Sequence, residues 1–253
     1  TCPADMAGGD AVAGELAGES GQAQREVELC CLRQKLPRGI SKERLLVTDG
    51  DTTVAVEISA RRVDTEELPP MTFLPRDDVV VMDARHFTGQ EAAGEAGFRL
   101  LEGYGIYGSG MKVFPVTASF GETGQRPRLT YQFLVERKGC YRVELLAAPT
   151  NSPEQGKALR LLVSVEGAGT RTAELVGEGF RAGDHRDEDW CRGVLDQIRR
   201  ASVSFDLEEG VQRLSIGAME AGAVLERIRI CPADRQLPES YLGPEESYCS
   251  RKK

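Results

Sequence analysis

Histidine is almost missing from this chain: His86 and His185 are the only two in 253 residues, and they lie far apart. No two cysteines form a CxxC pair, and the seven present (Cys2, Cys30, Cys31, Cys140, Cys191, Cys231 and Cys249) are scattered. Structural zinc needs clustered Cys and His, so no metal and no cofactor is expected. An odd, scattered set does not read as a disulfide framework either. Reduced thiols point to a cytoplasmic protein, with a secreted or cell-surface location as the alternative. A basic excess is lacking too. Lys and Arg number 32 against 40 Asp and Glu, a net charge of −8, which argues against a broad phosphate-binding surface and hence against nucleic acid. No apolar run approaches the roughly 20 residues of a membrane helix, so no membrane partner is expected. The start shows no basic stretch leading into an apolar core, and a chain opening at Thr1 reads as a fragment or a processed product.

What is present is glycine and short alternating runs. Residues 1–24 carry four acids and no Lys or Arg among Gly and Ala, and read as a flexible acidic leader. Residues 25–64 read as a small β unit. Val27, Leu29 and Cys31 alternate with polar residues, and Leu45–Val47 meets Thr52–Ile58 across Asp49-Gly50-Asp51, a hairpin signal. Residues 65–78, with Pro69-Pro70 and Pro75, read as a Pro-rich linker. Strands are then expected at 79–82, 131–136, 141–146, 159–165, 201–207, 211–216 and 224–230. In 202–206, Val203 and Phe205 share one face and the serines the other. Short strands with Gly and Pro turns suggest a β-sandwich. A single helix is expected over 189–199, with Trp190, Val194 and Ile198 as its apolar stripe.

No catalytic constellation stands out. Gly103-Tyr104-Gly105-Ile106-Tyr107-Gly108 contains GxGxxG, but Met111-Lys112-Val113-Phe114-Pro115 follows where a nucleotide fold needs a long helix. A glycine-rich loop joining strands is the better reading. No GxSxG elbow is present. No carboxylate pair singles itself out for glycosidic chemistry. Asp184, Asp187, Glu188 and Asp189 match no calcium-loop spacing and read as a solvated loop. Sugar binding to a sandwich needs exposed aromatic faces. The candidates are Tyr104 and Tyr107 in the glycine loop and Trp190 after the acidic loop. Trp190 serves equally well as a core or lid residue.

Several segments together resemble a known family. Val81-Met82-Asp83-Ala84-Arg85-His86-Phe87 is similar to the I-E-A-E-H-F opening of carbohydrate-binding sandwiches. Residues 103–115 resemble a G-x-G-x-x-G-S-G-v-x-v-x-P segment. Pro149-Thr150 resembles a P-T after a Y-x-v-x-v strand, Trp190 and Val194 a W-x-x-x-V step, and Ser240–Ser247 a terminal S-Y-L-G-P-x-x-S. In this order they resemble the C-terminal domain of glycoside hydrolase family 115, the xylan α-1,2-glucuronidases. Residues 25–60 are more weakly similar to the end of the preceding β-domain.

The resemblance implies an all-β, jelly-roll, carbohydrate-binding-module-like sandwich at 79–247, with a tail at 248–253. A catalytic barrel needs eight βα units, which are not in this sequence, so the resemblance implies a non-catalytic ancillary part of an α-glucuronidase. Its implied partners are the parent enzyme's catalytic domains and a second copy in a homodimer; the alternative is a carbohydrate-binding module for glucuronoxylan or a related plant polysaccharide. Related sandwiches often hold calcium between the E-A-E acids and an acid of the last strand. Here those positions read Asp83-Ala84-Arg85 and Glu226. A cation at Arg85 repels calcium. The expectation is an Arg85–Glu226 ion pair replacing the metal, and a strongly destabilised Arg85→Ala variant.

Overall fold

The computed structural model describes residues 4–5, 29–30, 36–37, 39–49, 52–62, 67–120, 124–237, 240 and 243–250. It forms two compact units, Thr1–Glu67 and Leu68–Lys253. In the first, β1 (Ala4–Asp5) pairs in parallel with β2 (Leu29–Cys30). Apart from these strands, the expected leader and the alternation around Val27 lie outside the described residues. The Asp-Gly signal marks the turn of a long hairpin. β3 (Gly39–Asp49) pairs with β4 (Thr52–Arg62) from Gly39↔Arg62 to Asp49↔Thr52, leaving Gly50 and Asp51 as the loop. Directly opposed residues share a face. One face therefore carries Leu45, Val47, Val54, Val56 and Ile58. The other carries the Thr48–Thr53 hydroxyl pair at 3.2 Å and the Arg44–Glu57 ion pair at 3.6 Å.

The second unit is a two-sheet β-sandwich. Its strands are β5 (Thr72–Phe73), β6 (Val80–Asp83), β7 (Gly89–Glu91), β8 (Gly97–Glu102), β9 (Ser109–Phe114), β10 (Arg128–Val135), β11 (Gly139–Ala147) and β12 (Leu159–Val165). They continue with β13 (Gly169–Val176), β14 (Arg199–Leu207), β15 (Gly210–Ala218) and β16 (Val224–Pro232). One sheet runs β13-β12-β15-β10-β5, with β7 also on β10; the other runs β14-β11-β16-β9-β8, with β6 also on β16. The period of two decides which side chains enter the core. Leu129, Tyr131 and Phe133 from the first sheet meet Val143, Leu145, Ile228 and Ile230 from the second, all at most 1% exposed. Full burial of such side chains stabilises by about 1.5–3 kcal/mol each. The one polar atom in that aromatic layer is satisfied, because the Tyr131 hydroxyl donates to the Ala84 carbonyl at 2.7 Å. Burial holds its pKa well above 10.0.

The outer face of the second sheet is charged. Register places Arg200, Leu146, Arg227 and Asp83 on one rung, and Ser202, Glu144 and Arg229 on the next. Val203 and Phe205 turn inward from the serines, as their alternation implies.

Two boundaries differ from expectation. The Pro-rich stretch is not wholly a linker, because β5 pairs in parallel with β10 and Thr72 and Phe73 are buried. A two-residue strand has no period to read. At the other end the sandwich extends past 247: Tyr248 and Ser250 bond to the backbone around β5. The helix α1 (Glu188–Asp196) is shorter than 189–199. Asp187 caps it, accepting from the Trp190 N–H at 3.0 Å, and Gln197 closes it at φ 54°. Ile198 therefore joins the approach to β14, and the apolar stripe is cut. Val194 and Leu195 are 45% and 79% exposed, while buried Gly193 sits against the Arg199 guanidinium.

Candidate functional site

The glycine-rich segment folds as the loop joining β8 to β9. Beneath it lies Glu226 of β16, 1% exposed. The Tyr107 N–H donates to its Oε2 at 3.2 Å, and the Ile106 N–H also bonds to the carboxylate. Gly105, at φ +72°, is required here, since a Cβ would run into the carboxylate. At Gly110 a Cβ would lie 2.6 Å from Val224 Cγ1. Burial raises the Glu226 pKa above 4.5, opposed by the two loop N–H groups and by Arg227. Its Oε1 has no hydrogen-bond partner among the described residues. As pH rises above 4.5, the folded chain retains a proton that the unfolded chain has released, so this group's contribution to stability falls. Glu226→Gln keeps an acceptor for the loop and removes the titration. The variant is expected to melt increasingly above the parent as pH climbs from 4.5, in paired calorimetric scans. A constant gap at all pH values would contradict this.

The three aromatic candidates do not form one platform. Tyr104 is 40% exposed, but Tyr107 and Trp190 are half-buried. The Arg227 guanidinium lies 3.9 Å from the Tyr107 ring centroid, so that face is occupied. Burial raises the Tyr107 pKa, against the pull of Arg227 and Arg229. No ring contact joins the three among the described residues. Trp190 serves the helix start, its N–H on the Asp187 cap.

The expected Arg85–Glu226 pair does not form. Arg85 follows the end of β6 in a turn and is exposed, whereas Glu226 lies under the loop. The cation on the Asp83 carboxylate is Arg227, its Nε 2.8 Å from Oδ1, with both side chains nearly buried. Arg227 also donates to the Pro244 carbonyl at 3.1 Å. The residues do not fit calcium. Asp83 holds a guanidinium, and Glu226 belongs to no cluster of metal-ligating groups among the described residues. The one cluster among the described residues is Asp83, His86 and Glu246. There, His86 Nδ1 lies 2.8 Å from Glu246 Oε1, which also accepts the Asp83 N–H at 2.8 Å. It works as a clasp for the C-terminal segment.

Sequence reasoning missed two clefts. The first, about 770 Å³, lies between the loops at 151–157 and 180–185, with Asn151, Lys157, Phe180, Arg181 and His185 in its wall. The second, about 1160 Å³, lies on the charged outer face of the second sheet beside α1. Arg142, Arg192, Arg200 and Arg229 line it with Glu144 and Asp196. Alternation in 226–230 shows Arg227 and Arg229 turned outward, but only register brings them to Glu144, Arg142 and Arg200.

A family model described as the glycosyl hydrolase family 115 C-terminal domain matches residues 72–246. No curated protein matches the chain. Among solved structures, the chain is similar to a family GH115 4-O-methyl-α-glucuronidase with specificity for decorated arabinogalactans. That likeness has a TM-score of 0.43 and 21% identity, over 58% of this chain and 18% of the other. The chain thus spans less than a fifth of that enzyme's length. It is also similar to a family 35 carbohydrate-binding module from Clostridium thermocellum (TM-score 0.40, 11% identity, 61% of this chain and 98% of that one). A third is a family 6 module of Cellvibrio mixtus lichenase 5A in complex with cellotriose (TM-score 0.40, 18% identity, 61% and 97%).

Proposed function

We propose, since this chain belongs to glycosyl hydrolase family 115 and carries its C-terminal domain, that it is a non-catalytic ancillary part which packs against the other domains of a parent hydrolase. The observation that carries this reading is the β3–β4 hairpin. Val47, Val54 and Val56 of its apolar face are 46%, 56% and 44% exposed. A lone two-stranded ribbon is marginally stable, and an exposed apolar sheet face marks an interaction site. The free thiols of Cys140, Cys191, Cys231 and Cys249 accord with a reducing compartment such as the cytoplasm.

The test is Val47→Lys/Val56→Lys, which puts two charges on that face. In the parent enzyme it is expected to lower the melting temperature by about 5 °C or more, as about 2 kcal/mol of lost packing implies. In this chain alone it leaves the melting of the sandwich unchanged. A parent enzyme that melts as before, or release of glucuronic acid from glucuronoxylan by this chain alone, would overturn the proposal. A second reading, carbohydrate binding, is favoured by the two polar clefts, each within or above the usual size range of a small-molecule site.

A further inference from the structure

We infer that Asp83, His86 and Glu246 form a binding site for a divalent transition ion of the zinc class, which staples the C-terminal segment to β6. His86 and Glu246 are 160 positions apart, so no local spacing of metal ligands announces them. The fold brings the three together in two steps. The His86 N–H donates to the Asp83 carbonyl at 3.0 Å, and this turn folds the imidazole back beside the end of the strand. Ser247 then pairs with Val81 through both its N–H and its hydroxyl, each at 2.9 Å, which sets Glu246 against Asp83. One imidazole nitrogen and two carboxylate oxygens thus lie within 4.8 Å of one another. Without an ion, His86 Nδ1 stands 2.8 and 2.9 Å from the two Glu246 oxygens. An ionised carboxylate only accepts, so Nδ1 carries the proton between them. An ion that binds here takes that proton's place, and the proton leaves to solvent.

The donor set selects the ion. Imidazole with carboxylates suits zinc and its neighbours, whereas calcium takes about six to eight oxygens. Two donors on a tetrahedral zinc stand about 3.3 Å apart, from bond lengths of about 2.0–2.1 Å. His86 and Glu246 therefore need to part by only about 0.5 Å. Their side chains are 39% and 25% exposed, so both have room to move and water reaches the open position on the ion. Asp83 is held more firmly. Its Oδ1 accepts from Arg227 Nε at 2.8 Å, and this guanidinium orients the carboxylate as the outer partners of metal ligands do. The Asp83 N–H on Glu246 Oε1, at 2.8 Å, fixes the second carboxylate in the same way. Two carboxylates, one guanidinium and a neutral imidazole leave one net negative charge, which still attracts a dication.

The experiment is thermal melting of the full chain, stripped with a chelator, without and with zinc chloride, and with calcium chloride in parallel. Zinc at about a hundred times its Kd is expected to raise the melting temperature of the second unit by about 5–10 °C. Calcium at the same concentration is expected to leave it within about 1 °C. His86→Gln keeps an N–H for Glu246 but lacks the imidazole nitrogen. Glu246→Gln keeps an acceptor for the Asp83 N–H but lacks the charge. Each is expected to weaken zinc at least about tenfold. The quantity read is the difference between melts with and without the ion, so a variant that is less stable without metal still reports. Thiols are the competing zinc ligands, and Cys249 is close enough to feel the Glu246 charge. Cobalt separates the two, because the nitrogen-and-oxygen site gives a visible band without thiolate charge transfer. No zinc shift in the parent overturns the inference. So does an undiminished shift in either variant, or an equal shift with calcium. A cobalt spectrum that shows thiolate charge transfer and is unchanged in His86→Gln overturns it too.

Discussion

Removal of residues 244–253 is expected to lower the melting temperature of the second unit by about 10–20 °C. The final segment supplies hydrogen-bond partners that nothing else near the edge can replace. The Ser247 N–H donates to the Val81 carbonyl, and Ser247 Oγ accepts the Val81 N–H, both at 2.9 Å. Glu246 accepts the Asp83 N–H at 2.8 Å. Further along, the Leu74 N–H donates to Tyr248, and the Met71 N–H to Ser250. Ser250 closes the set: its N–H donates to the Thr72 carbonyl, and its Oγ accepts the Thr72 N–H at 2.9 Å. These bonds join residues more than 160 positions apart, so their loss frees the start of the domain from its end. At about 1 kcal/mol each they amount to about 5 kcal/mol or more, against a typical domain stability of about 5–15 kcal/mol. For a unit of this size each kcal/mol moves the melting point by about 2–4 °C. Thermal melts followed by circular dichroism decide the matter. A truncated chain melting within about 3 °C of the parent would show that the clasp is dispensable.

That clasp was hard to see in the sequence, for a physical reason. Period-two runs such as 159–165 and 201–207 announce themselves because each residue is sorted between core and solvent. Most of the sandwich was therefore legible, and so was the hairpin, whose Asp-Gly turn is local. The 246–250 segment pairs partly through the side chains of Glu246, Ser247 and Ser250, and β5 has only two residues. Neither leaves a period. The helix failed differently: its apolar spacing was real, but the left-handed Gln197 ends it before Ile198 can join the stripe. The Arg85 expectation failed on geometry alone. It weighed charges by sequence motif, whereas Glu226 and Arg227 are neighbours on one strand and point to opposite faces. The buried acid thus went under the glycine loop, and the buried cation went to Asp83.

Arg227→Ala is accordingly expected to destabilise the sandwich by about 3–5 kcal/mol, while Arg85→Ala changes it by less than about 0.5 kcal/mol. The asymmetry follows from burial. The Arg227 and Asp83 side chains are 12% and 11% exposed, so removing the guanidinium strands a carboxylate in a poorly solvated site. It also removes the bond to the Pro244 carbonyl, which anchors the C-terminal segment, and bares the Tyr107 ring face. Arg85 lies in an exposed turn and has none of these contacts. Arg227→Lys retains the charge but not the planar fork, so it is expected to fall between parent and Arg227→Ala. Asp83→Asn/Arg227→Ala separates the stranded charge from the lost packing. If the stranded carboxylate dominates, the double variant recovers part of the stability lost in Arg227→Ala, and denaturant titration of all four proteins yields the coupling. Strictly additive effects would mean that Arg227 acts through Pro244 and Tyr107 alone. A large loss in Arg85→Ala would restore Arg85 as the cation that replaces the metal and take that role from Arg227.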